Sequence, residues 1–390
     1  MTPVPANAFS CTRRRRLIAA ALVAFLVAAT TKTTPGHAQQ KPQIPPQLKA
    51  MVTSAVDNTI VPAYQFFADV STKAAETIGT WCETPTAQTL TAARTAFAGS
   101  AHAWARIQHI RFGPARTDNR WQRIAFLPDP RGVIRRQVAK VMADRPAELL
   151  AENAVASQSA ALQGLPAMEQ LLYGFPDSEP VEVRAYRCRL AQAIGVHVAK
   201  LSGEMVREWT APQTGWRQRL LTAGAPGNDD YKSASEAASE LVRSLLTGLQ
   251  LVREEMLLPW LKAAEAKKPW AGLPFERAGI ARDIVATSLL ALRNLHKALH
   301  LDLVITHVGT KDKSKAWMKA WIIGAYDSLE RDAKSMVLPS QDQLAAAAAE
   351  ENLMALKRSR FNLNGLRQII GRHIAPAAAL TIGFNELDGD

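Results

Sequence analysis

Apolar residues recur at three- and four-residue spacing through most of the chain. No segment alternates apolar and polar positions with the period of two that a half-buried strand requires. The helical pattern covers residues 48–81, 86–112, 132–142, 146–163, 166–173 and 181–210, then 232–264, 276–308, 312–337 and 340–373. Between the two sets lies TAGAPGNDD (222–230), whose Gly, Pro and Asp content interrupts helix and marks a domain junction or a long surface loop. KKPWAGLPF (267–275) separates two of the later helices in the same way. The stretch GPARTDNRWQRIAFLPDPR (113–131) is too long and irregular for a simple turn and reads as an ordered or binding loop. Four main helices on each side of residue 225 predict an all-α protein. Its two domains, 48–222 and 223–390, would each resemble a four-helix bundle, and the layout suggests an internal duplication. Abundant Ala and Leu agree with helix.

The first 38 residues change the picture. TRRRRLIAAALVAFLVAAT sets a basic stretch before an apolar core too short for a comfortable membrane span, and Gly36-His37-Ala38 supplies a small-residue cleavage site. Residues 1–38 therefore read as a secretory signal cut after Ala38, with the Pro-rich 39–47 as an extended leader. Cys11 precedes the apolar core and cannot be a lipoprotein cysteine. The expected product is periplasmic, without a transmembrane helix, and its export route is open between the general and twin-arginine pathways. The signal holds five of the 47 basic residues and no acid, so the net charge falls from +12 to 42 basic against 35 acidic residues, or +7. That mild excess requires no nucleic acid and suits an anionic ligand or an envelope surface. Cys82 and Cys188 are the cysteines left, and an oxidising compartment favours one disulfide between them over two separate buried thiols.

Within the first half, GLPAMEQLLYG (164–174) interrupts its own helical pattern. Gly164 ends one helix, and Pro166, lacking an N–H, fits the first turn of the next. Glu169 then falls in or beside that turn, where unpaired amides favour a carboxylate. Two readings fit: a kinked helix with an acid near its start, or a kink that aims Glu169 into a cleft as a ligand.

This stretch resembles the Gly-x-His-x-x-Glu signature of the imelysin-like family, with Gly164 and Glu169 in register and Pro166 in place of the histidine. WARIQHIRFGP (104–114), FLPDPRG (126–132), YRC (186–188), LPFERAGI (273–280) and the tail IGFNELDGD (382–390) resemble other segments of that family, so the likeness runs through nearly the whole mature chain. The resemblance implies an envelope protein of two helical bundles with the motif near their interface. It also implies links to iron uptake or regulation and a metallopeptidase label. Gly113, Pro114, Gly279, Asn385 and Asp388 fall in family-like segments and are expected to shape the fold or cap the interface. Proline offers no ligand, so a cation held by Glu169, iron or another divalent ion, would need further oxygen donors.

The remaining chemistry is sparse. His-Glu-x-x-His, Gly-x-Ser-x-Gly and phosphate-binding glycine loops are missing from the sequence. His296, His300 and His307 share one face if residues 276–308 form a straight helix, which lets the first two chelate a metal or simply line a seam. His102 and His109 share a face of the second helix, where packing is the default reading. Arg111, Arg116, Arg120 and Arg123 crowd Trp121, either to bind a carboxylate or phosphate or to pair with Glu169, Asp129 and Asp118. Asn385, Asp388 and Asp390 offer oxygen ligands at the end of the chain. The expectation is a non-enzymatic binding protein for iron or another metal. Glu169 would sit at the domain interface, with Arg111, Trp104 and Arg277 lining or supporting the site. The partner is a metal ion, a small anionic ligand or an envelope protein. A metallopeptidase and an envelope scaffold are the alternatives.

Overall fold

A computed structural model describes residues 46–176, 178–269 and 273–383. The signal with its Ala38 cleavage site, nearly all of the Pro-rich leader, and Asn385, Asp388 and Asp390 of the tail lie outside the described residues. All described residues belong to one compact unit, 44–390. Every regular element among them is helical.

The first half comprises α1 (Pro46–Ala55), running through a π-helical turn (Val56–Ile60) into α2 (Val61–Glu83), then α3 (Ala87–Ala105), α4 (Arg120–Ile124), α5 (Val133–Asp144), α6 (Ala160–Gln163), α7 (Leu165–Tyr173), α8 (Val181–Thr210) and α9 (Trp216–Leu221). The second comprises α10 (Ala234–Leu251), α11 (Leu258–Glu265), α12 (Ala281–Ala298), α13 (Leu301–Lys311), α14 (Trp317–Ser335), α15 (Leu344–Ala347), α16 (Glu350–Ile369) and α17 (Ala375–Ala377).

Local chemistry sets several boundaries. Thr86 caps α3 in a reciprocal box with Thr89. Ser233 caps α10 by accepting from the Glu236 N–H. Asp129, the acid of the PDPRG stretch, accepts from the Val133 and Ile134 amides at 2.8 Å each and so starts α5.

The core of the first half is the long pairing of α2 with α8. Gly195 permits it, because a Cβ there would come within 3.3 Å of the Ala75 Cα. Cys82 and Cys188 form a disulfide across this pair, with Cα atoms 5.4 Å apart. Beside it, Arg187 is fully buried. It pairs with Glu179, donates to the Leu171 carbonyl at 2.7 Å and lies over the Trp81 ring. In the second half, α14 packs on α16 around buried Asp332, which accepts from Arg358 Nε at 2.9 Å and Ser359 Oγ at 3.2 Å.

The halves meet along α3 and α12, and α1 packs on α10. Polar contacts cross this seam: His102 Nδ1 lies 3.0 Å from Thr287 Oγ1, and Gln108 Nε2 donates to Ser288 Oγ at 2.8 Å. The 222–230 stretch is the loop between α9 and α10, with Gly224 and Gly227 both at φ +85°.

Four expected helices are corrected, the one over 340–373 being a 3-10 turn and the short α15, then a break at Ala349 before α16. The one over 146–163 is instead two 3-10 turns followed by the short α6. The one over 86–112 ends at Ala105. The one over 276–308 begins at Ala281 and breaks at His300, which adopts φ +49° between α12 and α13. His296, His300 and His307 therefore do not line one straight helix. His296 is buried and 3.4 Å from Asp302, and its ring packs edge-on against Tyr326.

Candidate functional site

The break at 164–169 is built differently from the expectation of a first-turn acid. Gly164 is the extended residue that caps α7, Pro166 is the second helical residue, and Glu169 is the fifth, beyond the first turn. The amides that face its carboxylate come from the other half of the chain. The Ala278 N–H donates to Glu169 Oε1 at 2.9 Å, and the Arg277 N–H also favours the charged form. The donors belong to the turn 275–279, in which Phe275 and Gly279 take φ +58° and +73°. Gly279 thus supplies the left-handed residue that turns the chain into α12.

Glu169 is 5% exposed. Burial pushes its carboxyl up to about 7; the Ala278 amide, the Arg277 charge and the Arg277 amide only partly offset the desolvation. It borders a cleft of about 440 Å³ whose lining also includes Pro166, Gln170, Arg135, Glu276 and Arg277. Positions 166 and 169 therefore face the same space, and the residue in the histidine's place presents a pyrrolidine ring to it. A bare metal ion does not fit this donor set. Asp129 borders the cleft, but both its oxygens cap α5. No group of three or more His, Cys, Asp or Glu gathers at metal-binding geometry among the described residues.

The four residues expected to form one site divide between two clefts. Glu169 and Arg277 border the large one. Trp104 and Arg111 border a narrow neighbour of about 20 Å³, and Leu127 is common to both. Arg111 faces Glu255 at 3.7 Å and stacks over Trp121 at 4.4 Å. The arginine cluster is internally paired, though not with the expected acids: Arg120 meets Glu208 at 2.7 Å and Glu204 at 3.3 Å, and Arg123 donates to Gln163 at 2.6 Å. Gly113 adopts φ +61° against the Trp216 ring, and the Pro114 carbonyl accepts from Arg120. Sequence reading missed Arg135 and Gln170, whose only signal was their spacing around the PDPRG and GLPAME stretches.

Gly164 has a steric role. Its φ of −124° suits any residue, but a Cβ would lie 2.2 Å from the Ile124 carbonyl oxygen and 2.5 Å from that of Arg123. Backbone cannot yield as a flexible side chain does. Gly164→Ala should therefore lose about 3 kcal/mol of stability, at the upper end of overpacking costs. Urea unfolding would measure it, and a loss under about 0.5 kcal/mol, the size of an ordinary surface substitution, would show that the two segments separate easily.

Comparison with known proteins places this geometry in context. The imelysin model of the Peptidase M75 family matches residues 60–271. Iron-regulated protein A of Synechococcus elongatus is 27% identical over 219 residues, 54% of this chain and 56% of that protein; the match thus spans about half the relative's length. An imelysin-like protein of Psychrobacter arcticum superposes with a TM-score of 0.64 at 21% identity, over 87% of this chain and 97% of that one. A Parabacteroides distasonis protein described as an iron-regulated protein A precursor superposes at 0.65 with 10% identity, over 83% and 94%. At these identities the structural likeness shows the shared fold.

Proposed function

Because the chain belongs to the imelysin family, we propose that it is an exported, non-enzymatic binding protein in iron acquisition, and that the cleft beside Glu169 receives iron as an anionic chelate. The iron connection rests on the names of the Synechococcus and Parabacteroides proteins. The basic-apolar leader and the Cys82–Cys188 disulfide support a periplasmic location.

One observation carries the reading. A buried carboxyl that holds its proton to about pH 7 opens on a cleft bordered by Arg135 and Arg277. Such a lining lacks the donors to strip and coordinate a bare ion, since Asp129 caps α5, but it offers an oxygen-rich anion the N–H groups of two guanidiniums and, from the neutral carboxyl, a further hydrogen-bond donor, while Asp129 and Glu276 balance the arginine charge. Ferric ion at neutral pH travels with its own oxygen ligands, so the protein need not provide them.

Equilibrium dialysis of the exported chain against ferric citrate, zinc and calcium, read by elemental mass spectrometry, tests this. Iron should be retained from ferric citrate, and Arg277→Met, at an exposed position, should weaken retention about tenfold, as expected for one charge-assisted hydrogen bond. Failure to retain iron overturns the reading. So does stoichiometric zinc or calcium that Glu169→Gln abolishes, since that would make Glu169 a ligand to a bare cation.

A further inference from the structure

A cleft of about 520 Å³ lies where two 3-10 turns, Ala147–Leu150 and Ala154–Ser157, pack on α8. It shares no lining residue with the Glu169 cleft. Arg189, Ala193, Val196, His197 and Lys200 border it from α8, at the three- and four-residue steps of one helix face. Leu150 and Val155 border it from the turns. Much of this wall is apolar, and Val196 is left 53% exposed.

His197 is built into the wall in a fixed orientation. It is 5% exposed, and its Nε2 lies 3.1 Å from Gln163 Oε1. That atom is the amide oxygen, because Gln163 Nε2 donates to the Ala156 and Gln158 carbonyls. Two lone pairs would repel at this distance, so Nε2 carries the ring proton and donates it to Gln163. Arg123 Nη2, 3.4 Å from Nε2, is too far for a good bond, and Arg123 Nε is already engaged by Gln163 at 2.6 Å. The other ring nitrogen, Nδ1, is then a lone-pair acceptor without a hydrogen-bond partner among the described residues. It is not sealed in the core as His109 Nδ1 is. Neither Gln163 nor Arg123 borders the cleft, so the ring offers it the Nδ1 edge. Burial first, then the Arg123 and Lys200 charges, push His197 down to about 4, which leaves that lone pair free at neutral pH.

The charges along the cleft are not mutually spent. Arg189 is exposed and has neither an ion-pair nor a hydrogen-bond partner among the described residues. Lys200 donates to the Asn153 side-chain oxygen at 2.8 Å rather than to a carboxylate. Glu152 is the one acid in the lining, and it accepts from Asn153 Nδ2 at 3.4 Å. Two cations thus stand against one acid. The cleft combines an apolar wall, a buried acceptor that lacks a donor and a guanidinium that lacks an anion. A ligand that answers all three has an apolar body, an O–H group and a carboxylate.

We propose that this cleft binds a small hydroxyaryl carboxylate, whose hydroxyl donates to His197 Nδ1, whose ring lies on Val155, Ala193 and Val196, and whose carboxylate meets Arg189. Arg189 and His197 are eight residues apart, about 12 Å along the helix axis, a span that their side chains and one aromatic ring together cover. Lys200, one turn beyond His197, adds positive field without occupying the acceptor.

Calorimetric titration of the exported chain with 4-hydroxyphenylacetate, and separately with phenylacetate, tests the site. The hydroxylated acid should bind with a stoichiometry of one, and the acid without the hydroxyl about tenfold more weakly, as expected for one lost hydrogen bond to a buried acceptor. Arg189→Met, at an exposed position, should weaken the first about tenfold. Arg277→Met, in the Glu169 cleft, should leave it unchanged, so failure here is distinguishable from failure of the chelate reading. Nitrogen-15 spectra of the unaltered chain labelled at histidine give a readout that needs no variant. The His197 Nδ1 signal should be that of an unprotonated nitrogen and should move with occupancy, while Nε2 stays nearly fixed. Absence of saturable binding by 4-hydroxyphenylacetate overturns the proposal. So does equal binding of the two acids, or a His197 Nδ1 signal that binding leaves unmoved.

Discussion

Glu169→Gln should make the protein more stable above pH 7 while changing little at pH 4.5. The folded-state pKa of Glu169 is raised from 4.5 to about 7, chiefly by burial. Between those values the folded chain holds a proton that the unfolded chain has released. The stabilisation from that proton is complete below about pH 4.5 and is lost as pH rises through about 7. A displacement of this size corresponds to about 3 kcal/mol, since each pKa unit is about 1.4 kcal/mol. Glutamine keeps the carbonyl oxygen that accepts from the Ala278 N–H but never acquires a charge. The variant should therefore escape the cost of an ionised, desolvated carboxylate. Urea midpoints for both chains from pH 4.5 to 8 would show it. The difference between them is the diagnostic quantity, because every other titrating group contributes equally to both. A difference that stays flat with pH would mean that Glu169 ionises without penalty and that the cleft hydrates it freely. That outcome would also remove the neutral donor on which the chelate reading depends.

The all-α architecture was legible because helical periodicity needs only local residues. Its failures occur where buried packing outweighed periodicity. Residues 146–163 carry helically spaced apolar positions, yet Asn153 takes φ +60° and the segment folds as 3-10 turns that bury Leu149 and Val155. The corner at His300 has neither Gly nor Pro to announce it. It places Leu299 and Leu301, both 0% exposed, in the core on either side of the bend, and that burial offsets a left-handed histidine. The break before Glu169 was legible from Gly164 and Pro166, but its purpose was not. Gly164 is required by a carbonyl forty residues earlier, and Glu169 is met by an amide 109 residues later. Backbone donors and acceptors leave no mark in side-chain identity, so spacing cannot find them. Spacing likewise does not reveal that Pro166 and Glu169 border one cleft.

Removing the disulfide should have the largest effect on stability. Cys82 and Cys188 are 106 residues apart in sequence and join the end of α2 to the early part of α8. In the chain-entropy account, a crosslink acts by restricting the unfolded ensemble, and a loop of this length is worth about 4–5 kcal/mol. The folded state should be little altered, because α2 and α8 are already held in register through Ala75 against Gly195 and through Arg187 over the Trp81 ring. Cys82→Ala with Cys188→Ala should therefore fold to the same helical content but unfold at lower urea, by an amount equivalent to about 4 kcal/mol. Reducing the unaltered chain should reproduce most of that shift, which separates the loss of the crosslink from the small voids that alanine leaves. If the oxidised, reduced and doubly substituted chains all unfold at one urea concentration, the unfolded chain must already hold these two helices together. The α2–α8 pair, rather than the crosslink, would then be what resists unfolding in this half of the protein.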